Sequence, residues 1–163
     1  MVKRVVTKIG DIFCVEIGSK NKAYFQYIAN DMTQLNSSVI RIFKKRYPMD
    51  YVFSIADVVS DDVEFYAHTI LKFGIRENCW YKVGNSMDIG HIKDVMFRLY
   101  HDEDIVNRVK SYDWYVWKIN GKCKDIGELT EYYRRHADLG YVYPYTNIIE
   151  RIKTGEYGVK ELE

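Results

Sequence analysis

A histidine followed by three carboxylic acids, His101-Asp102-Glu103-Asp104, is the densest run of chemistry-bearing side chains in the sequence. Imidazole and carboxylate together are metal-ligand chemistry. Adjacent residues cannot all point at one ion, however. The same run also reads as a solvated loop or a helix start, where acidic side chains are favoured by the helix dipole. His68 lies within "FYAHTIL". A general base there would need an oriented partner. On a strand face shared with Tyr66 and Ile70 it also reads as a half-buried, satisfied side chain. His136, close to a helix end, needs no role beyond the dipole. Asp61-Asp62 reads as a turn. Gly10-Asp11 reads as a sharp strand entry in which Asp fixes a neighbouring backbone N–H.

The stronger signatures are missing. The sequence contains no phosphate-binding G-x-x-x-x-G-K-[ST], no G-x-S-x-G elbow and no H-E-x-x-H. Cys14, Cys79 and Cys123 are far apart and odd in number, which argues against a disulfide framework or a zinc ribbon. No catalytic residue, metal or cofactor is assigned.

The elements that would position these residues are mainly β. Ile12 to Ile17 is a compact apolar strand, and Ala23 to Ala29 is the next. There Ala23, Phe25 and Tyr27 share one face, and Tyr24, Gln26 and Ile28 share the other. "SVIRIFKKRY" is a third strand, ended by Pro48. "VEFYAHTILKFG" and "ENCWYKVGNS" read as a strand pair joined through Gly74 to Asn78. "DYVFSIADVVSDD" is either two strands or a strand and a short helix. Residues 88–111 are ambiguous, with part of a helix suggested by Ile105, Val106 and Val109. "DWYVWKINGK" returns to β, and Asn120-Gly121 is its tight turn. "DIGELTEYYRRHA" reads as a helix with Asp125 as N-cap and Glu128 completing a capping box. A last helix follows Pro144, with Thr146 as N-cap and Ile148, Ile149 and Ile152 facing inward.

The expected fold class is therefore α+β, mainly β: a curved antiparallel sheet or small barrel of about six strands with two C-terminal helices. Residues 1–163 are read as a single domain. The expected core is Phe13, Val15, Phe25, Tyr27, Ile40, Leu71, Trp80, Val83 and Trp117.

A net charge of +1 argues against a general grip on nucleic acid, which needs clustered Lys and Arg. The short run Lys44-Lys45-Arg46 reads as a strand end. No apolar run approaches the roughly 18 residues of a membrane span. "MVKRVVTKIGD" lacks the apolar stretch of a signal peptide, so a cytoplasmic location is expected. The 15 tyrosines suit a binding surface, and equally a pleated, half-buried sheet.

"KIGDIFCVEI", an aromatic second strand, "WYKVGN", "WYVWKING" and "NIIERIKTG" are similar in order and spacing to the immunity protein 26 family. The resemblance covers most of the chain outside 31–64 and 87–110. It implies a small cytoplasmic bacterial protein that neutralises a cognate toxin domain of a polymorphic toxin system. Some relatives carry a phosphotriesterase label, which implies the alternative of a small hydrolase acting on phosphoesters. On the binding reading, the partner face should centre on exposed aromatic residues ringed by charge. The candidates are Tyr66 and His68, on the strand face opposite the core, and His101, Asp102, Glu103 and Asp104.

Overall fold

The structure, a computed structural model, describes residues 4–101 and 109–163. It is α+β and mainly β, with ten strands in two sheets and four helices among the described residues. The first hairpin is β1 (Asp11–Ile17) and β2 (Asn21–Asp31), closed over Gly18 at φ +65°. Next come β3 (Ser37–Phe43), β4 (Tyr47–Pro48), α1 (Ile55–Val59), β5 (Val63–Thr69), α2 (Leu71–Arg76) and β6 (Tyr81–Asn85). A single 3₁₀ turn at Ile92–Asp94 precedes β7 (Met96–Tyr100) and β8 (Trp114–Lys118). The chain finishes with β9 (Lys124–Gly127), α3 (Glu131–His136), β10 (Ala137–Leu139) and α4 (Tyr145–Thr154).

The first sheet runs β5-β3-β2-β1-β6, all antiparallel, with β4 added beside β2. The second runs β10-β7-β8-β9, and β10 lies parallel to β7. Neither closes into a barrel, so of the two expected shapes the barrel is set aside. The physical reason lies at β5, whose open edge is taken by the second sheet and the loop that follows it. Tyr66 N donates to Asp138 Oδ2 at 3.0 Å, and Tyr143 N donates to His68 O at 2.9 Å. An edge occupied this way is not open for β6 to pair with.

Both faces of the first sheet are covered. One packs Phe13, Phe25, Ile40 and Phe65 against Leu71, Trp80, Trp114 and the α4 residues Ile148 and Ile152. The other packs Ile12, Cys14, Tyr24 and Phe43 against Val58 of α1. Further along, that same side packs Ile28 and Val39 against Val95, Phe97 and Trp117 of the second sheet region. Two-sided burial explains why β2 is an almost unbroken apolar run rather than an alternating one. Of the expected core, all but Val83 are buried; Val83 is half-buried because β6 is an edge strand.

Three local expectations are corrected. The strand pair through Gly74 to Asn78 does not form: residues 71–76 are α2, and β6 pairs with β1 instead. Gly74 lies against the Trp80 ring, where a Cβ would overlap it, so this glycine serves close packing rather than a turn. Asp125 is no N-cap. The Asn120-Gly121 turn extends β8 into β9 through Lys124 and Asp125, and Thr130 caps α3 by accepting from Tyr133 N. The helix after Pro144 starts at Tyr145 with no side-chain cap. Within the ambiguous stretch 88–111, Met96–Tyr100 is strand, and Ile105 and Val106 lie outside the described residues. Among the described residues no helix is long and apolar enough to cross a membrane.

Candidate functional site

Two polar arrangements stand out, one sealed and one open. The sealed one ties the sheets together. Asp31, at the end of β2, is fully buried. Its Oδ2 accepts from His68 Nε2 at 2.9 Å and from Trp117 Nε1 at 2.8 Å, and its Oδ1 accepts from Asn120 N at 3.1 Å. Because a carboxylate only accepts, the neutral His68 ring carries its proton on Nε2. Nδ1 is then a bare acceptor, buried and without a partner. The ring packs against Phe97 at 4.1 Å between centroids.

Burial pushes the His68 pKa below its ordinary value of 6.5, against the pull of Asp31. The unfolded chain then binds a proton at His68 more readily than the folded one. The stability that depends on a neutral His68 is whole above pH 6.5 and is lost as pH falls below it, through the lower folded value. Urea titrations at stepped pH should show this acid slope in the wild type and a flatter profile in His68→Asn. Parallel profiles would remove His68 as the cause.

A third buried polar group works in the same structural way. Asp11 Oδ1 accepts from Asn85 Nδ2 at 2.9 Å and pairs with Lys82 Nζ at 2.8 Å, and Lys8 N donates to Oδ2. Burial alone would raise its pKa, yet these bonds outweigh it and hold the carboxyl below its ordinary value. Gly10 at φ +98° delivers the chain into this corner, so Gly10-Asp11 is the strand-entry device its residue types suggest.

The open arrangement is a groove of about 400 Å³ between β5, the segment at 91–96 and the end of α3. Glu64, Tyr66, His91, Asp94, His136 and Asp138 are on its wall. Glu64 is paired with Arg46 at 2.6 Å, and Asp138 with Arg151 at 3.5 Å. Burial raises the Asp138 carboxyl, opposed by Tyr66 N–H, Arg151 and Arg98. Burial also raises the Tyr66 phenol; Arg41 pulls it down while Asp138 and Asp94 push it up. Among the described residues, the side chains of Asp94 and His91 have no hydrogen-bond or ion-pair partner.

Beside the groove, α3 is the one helix among the described residues that buries none of its own side chains. Tyr132, 57 % exposed, stacks on His136 at 4.5 Å and meets Tyr133 edge-on. His136 Nδ1 donates to Tyr132 O at 2.7 Å, which fixes the ring. Arg135 pairs with Glu131 at 2.7 Å.

The residues singled out in the sequence are dispersed. Tyr66 is half-buried on the groove wall. His68, on the same strand face, is enclosed, because the second sheet covers the far end of that face; it offers nothing to a partner. His101 is exposed, stacks on Tyr115 at 4.3 Å and meets Asp125 Oδ1 at 3.1 Å. Asp102, Glu103 and Asp104 lie outside the described residues. Among the described residues no group of three or more His, Cys, Asp or Glu side chains is placed to hold a metal ion. The α3 surface was within reach of sequence reasoning: "EYYRRH" concentrates the residue types of interface hot spots. Helical spacing puts Leu129, Tyr132, Tyr133 and His136 on one face, but α3 begins only at Glu131, and Tyr132 and His136 are exposed.

No protein-family model, no curated protein and no solved structure matches this chain.

Proposed function

We propose that this protein is a binding module that neutralises a cognate toxin domain of a bacterial polymorphic toxin system, working in the cytoplasm. The observation that carries the reading is α3, a helix that spends no side chain on the core yet displays Tyr132, Arg134 and Arg135. Tyr and Arg dominate interface hot spots: Tyr brings a large, stiff contact area with a hydroxyl at its tip, and Arg a planar fork of directional donors. The motif resemblance to immunity proteins, from "KIGDIFCVEI" to "NIIERIKTG", supports the same reading. The test is co-expression with the cognate toxin domain. Wild-type protein should restore growth and co-purify with the toxin. Tyr132→Ala combined with Arg134→Ala should weaken the complex by about tenfold or more, with folding stability changed by no more than about 0.5 kcal/mol. A toxin that kills despite wild-type co-expression sinks the reading.

One observation favours a hydrolase instead: the exposed His101–Asp125 contact, in which a carboxylate orients an imidazole. Phosphotriester turnover above buffer, lost in His101→Asn, would establish that activity; none above buffer retires it.

A further inference from the structure

We propose that the groove beside α3 receives an arginine side chain from the partner protein, its guanidinium seated on Asp94 between aromatic walls. The inference rests on the binding reading above and names the chemistry at its centre.

The charge pattern selects the guest. Around the groove, Glu64 is neutralised by Arg46, Asp138 by Arg151, and Arg135 by Glu131. Asp94 is the exception, since its carboxylate has no partner among the described residues. Of the carboxylates on the groove wall, Asp94 is therefore the one left without a pairing cation, at the side of a concavity of about 400 Å³. A cationic guest is the complement.

The walls choose between cations. Tyr66, His91 and His136 supply flat rings, and His136 is held in place by its bond to Tyr132 O and its stack on the Tyr132 ring. A guanidinium is planar, stacks on such faces and bonds a carboxylate with two parallel N–H donors. An ammonium is a compact, strongly hydrated point charge and gains less from the same walls. The raised Tyr66 phenol stays protonated at neutral pH, so its O–H presents a dipole rather than a competing charge. An exposed α3 at the rim gives the rest of the partner loop a place to lie.

The probes are four blocked pentapeptides, acetyl-Gly-Ser-X-Ser-Gly-amide, with X as arginine, lysine, citrulline or glutamate. Citrulline keeps the shape of arginine and removes its charge. In amide chemical-shift titrations, the arginine peptide should give saturable shifts confined to residues 64–66, 91–96 and 135–138. The lysine peptide should bind more weakly, and citrulline and glutamate at least about tenfold more weakly. Asp94→Asn should lose about tenfold for arginine and be indifferent to citrulline. Equal response to arginine and citrulline, shifts elsewhere, no response to arginine, or unchanged binding by Asp94→Asn would each overturn the proposal.

A growth assay with the cognate toxin separates this inference from the reading beneath it. Wild-type protection with Asp94→Asn equally protective removes the groove and leaves the binding function standing. Failure of the wild type to protect removes the function, while the peptide titration still decides the site.

Discussion

Asp31→Ala should cost the fold about 3–5 kcal/mol, a large share of the total stability of a typical small protein. The carboxylate is the single acceptor for three donors that come from different parts of the chain: His68 of β5, Trp117 of β8 and the backbone of Asn120. Removing it leaves those donors facing one another in a space that water does not reach. Each orphaned buried donor costs about 1–3 kcal/mol. The loss also undoes the seam between the sheets, because Asn120 is anchored to the β2–β3 turn through Asn30 O and Met32 N as well. Asp31→Asn does not rescue it. An amide offers one oxygen and turns two N–H donors toward groups that are donors already. Urea unfolding followed by tryptophan fluorescence reads the effect. A loss under about 0.5 kcal/mol would mean that the seam is held by apolar contact alone. A double-mutant cycle with His68→Ala then separates the pair from its surroundings, and a coupling near zero would show that the two residues act independently.

That seam is also the part of the fold that local sequence patterns do not carry. Strand existence was legible in "KIGDIFCVEI", "AYFQYIA" and "WYVWKI", because β-branched and aromatic residues crowd there. Asn120-Gly121 was legible as a turn, and Asn120 does adopt φ +59°. What periodicity could not supply was the second sheet. His68 alternates with Phe65 and Ala67, so it reads as the polar side of a half-buried strand. It is enclosed only because Phe97 and Trp117, far along the chain, pack over it. Burial of one strand face is a property of what lies above it, and that information sits some thirty to fifty residues away in the sequence. The Asp125 misreading has the same origin. A capping pattern is local, and a hairpin register inherited from β8 overrode it.

The groove was half-legible. Tyr66 stood out from its strand phase, while Asp94 and His91 fall in a stretch without clear period, closed by a 3₁₀ turn too short to leave a pattern. Arg41 shows why that stretch is where it is. Its Nε donates to Gln26 Oε1 at 2.9 Å and its Nη2 to Asp88 O at 2.7 Å, so a buried guanidinium in β3 pins the approach to the 91–96 segment. Gly90, at φ +74° and directly against the Arg41 guanidinium, allows the chain to pass over it. The wall of the candidate site is thus set by a charge buried in the first sheet.

Trp80→Ala should cost about 3–5 kcal/mol as well, through a different mechanism. Trp80 is 1 % exposed and belongs to the larger core cluster. Its ring meets Phe25 edge-on at 5.1 Å, and its Nε1 donates to Leu71 O at 3.1 Å. That bond ties the indole to a carbonyl in the first turn of α2, while Gly74 in the same helix lies flat against the indole. Truncation therefore removes apolar contact, opens a cavity under β1 and β2, and frees α2 from the sheet. Trp80→Phe should lose less, since it keeps most of the ring and forfeits mainly the bond to Leu71 O, worth about 1 kcal/mol. Gly74→Ala probes the same contact from the helix side. In the wild type its Cβ would collide with the indole, so it should destabilise the fold despite alanine's better helix propensity. In the Trp80→Ala background the obstacle is gone, and the same substitution should become neutral or stabilising. Equal costs of Gly74→Ala in both backgrounds, measured by thermal and urea unfolding, would show that the glycine is there for the backbone and not for the ring.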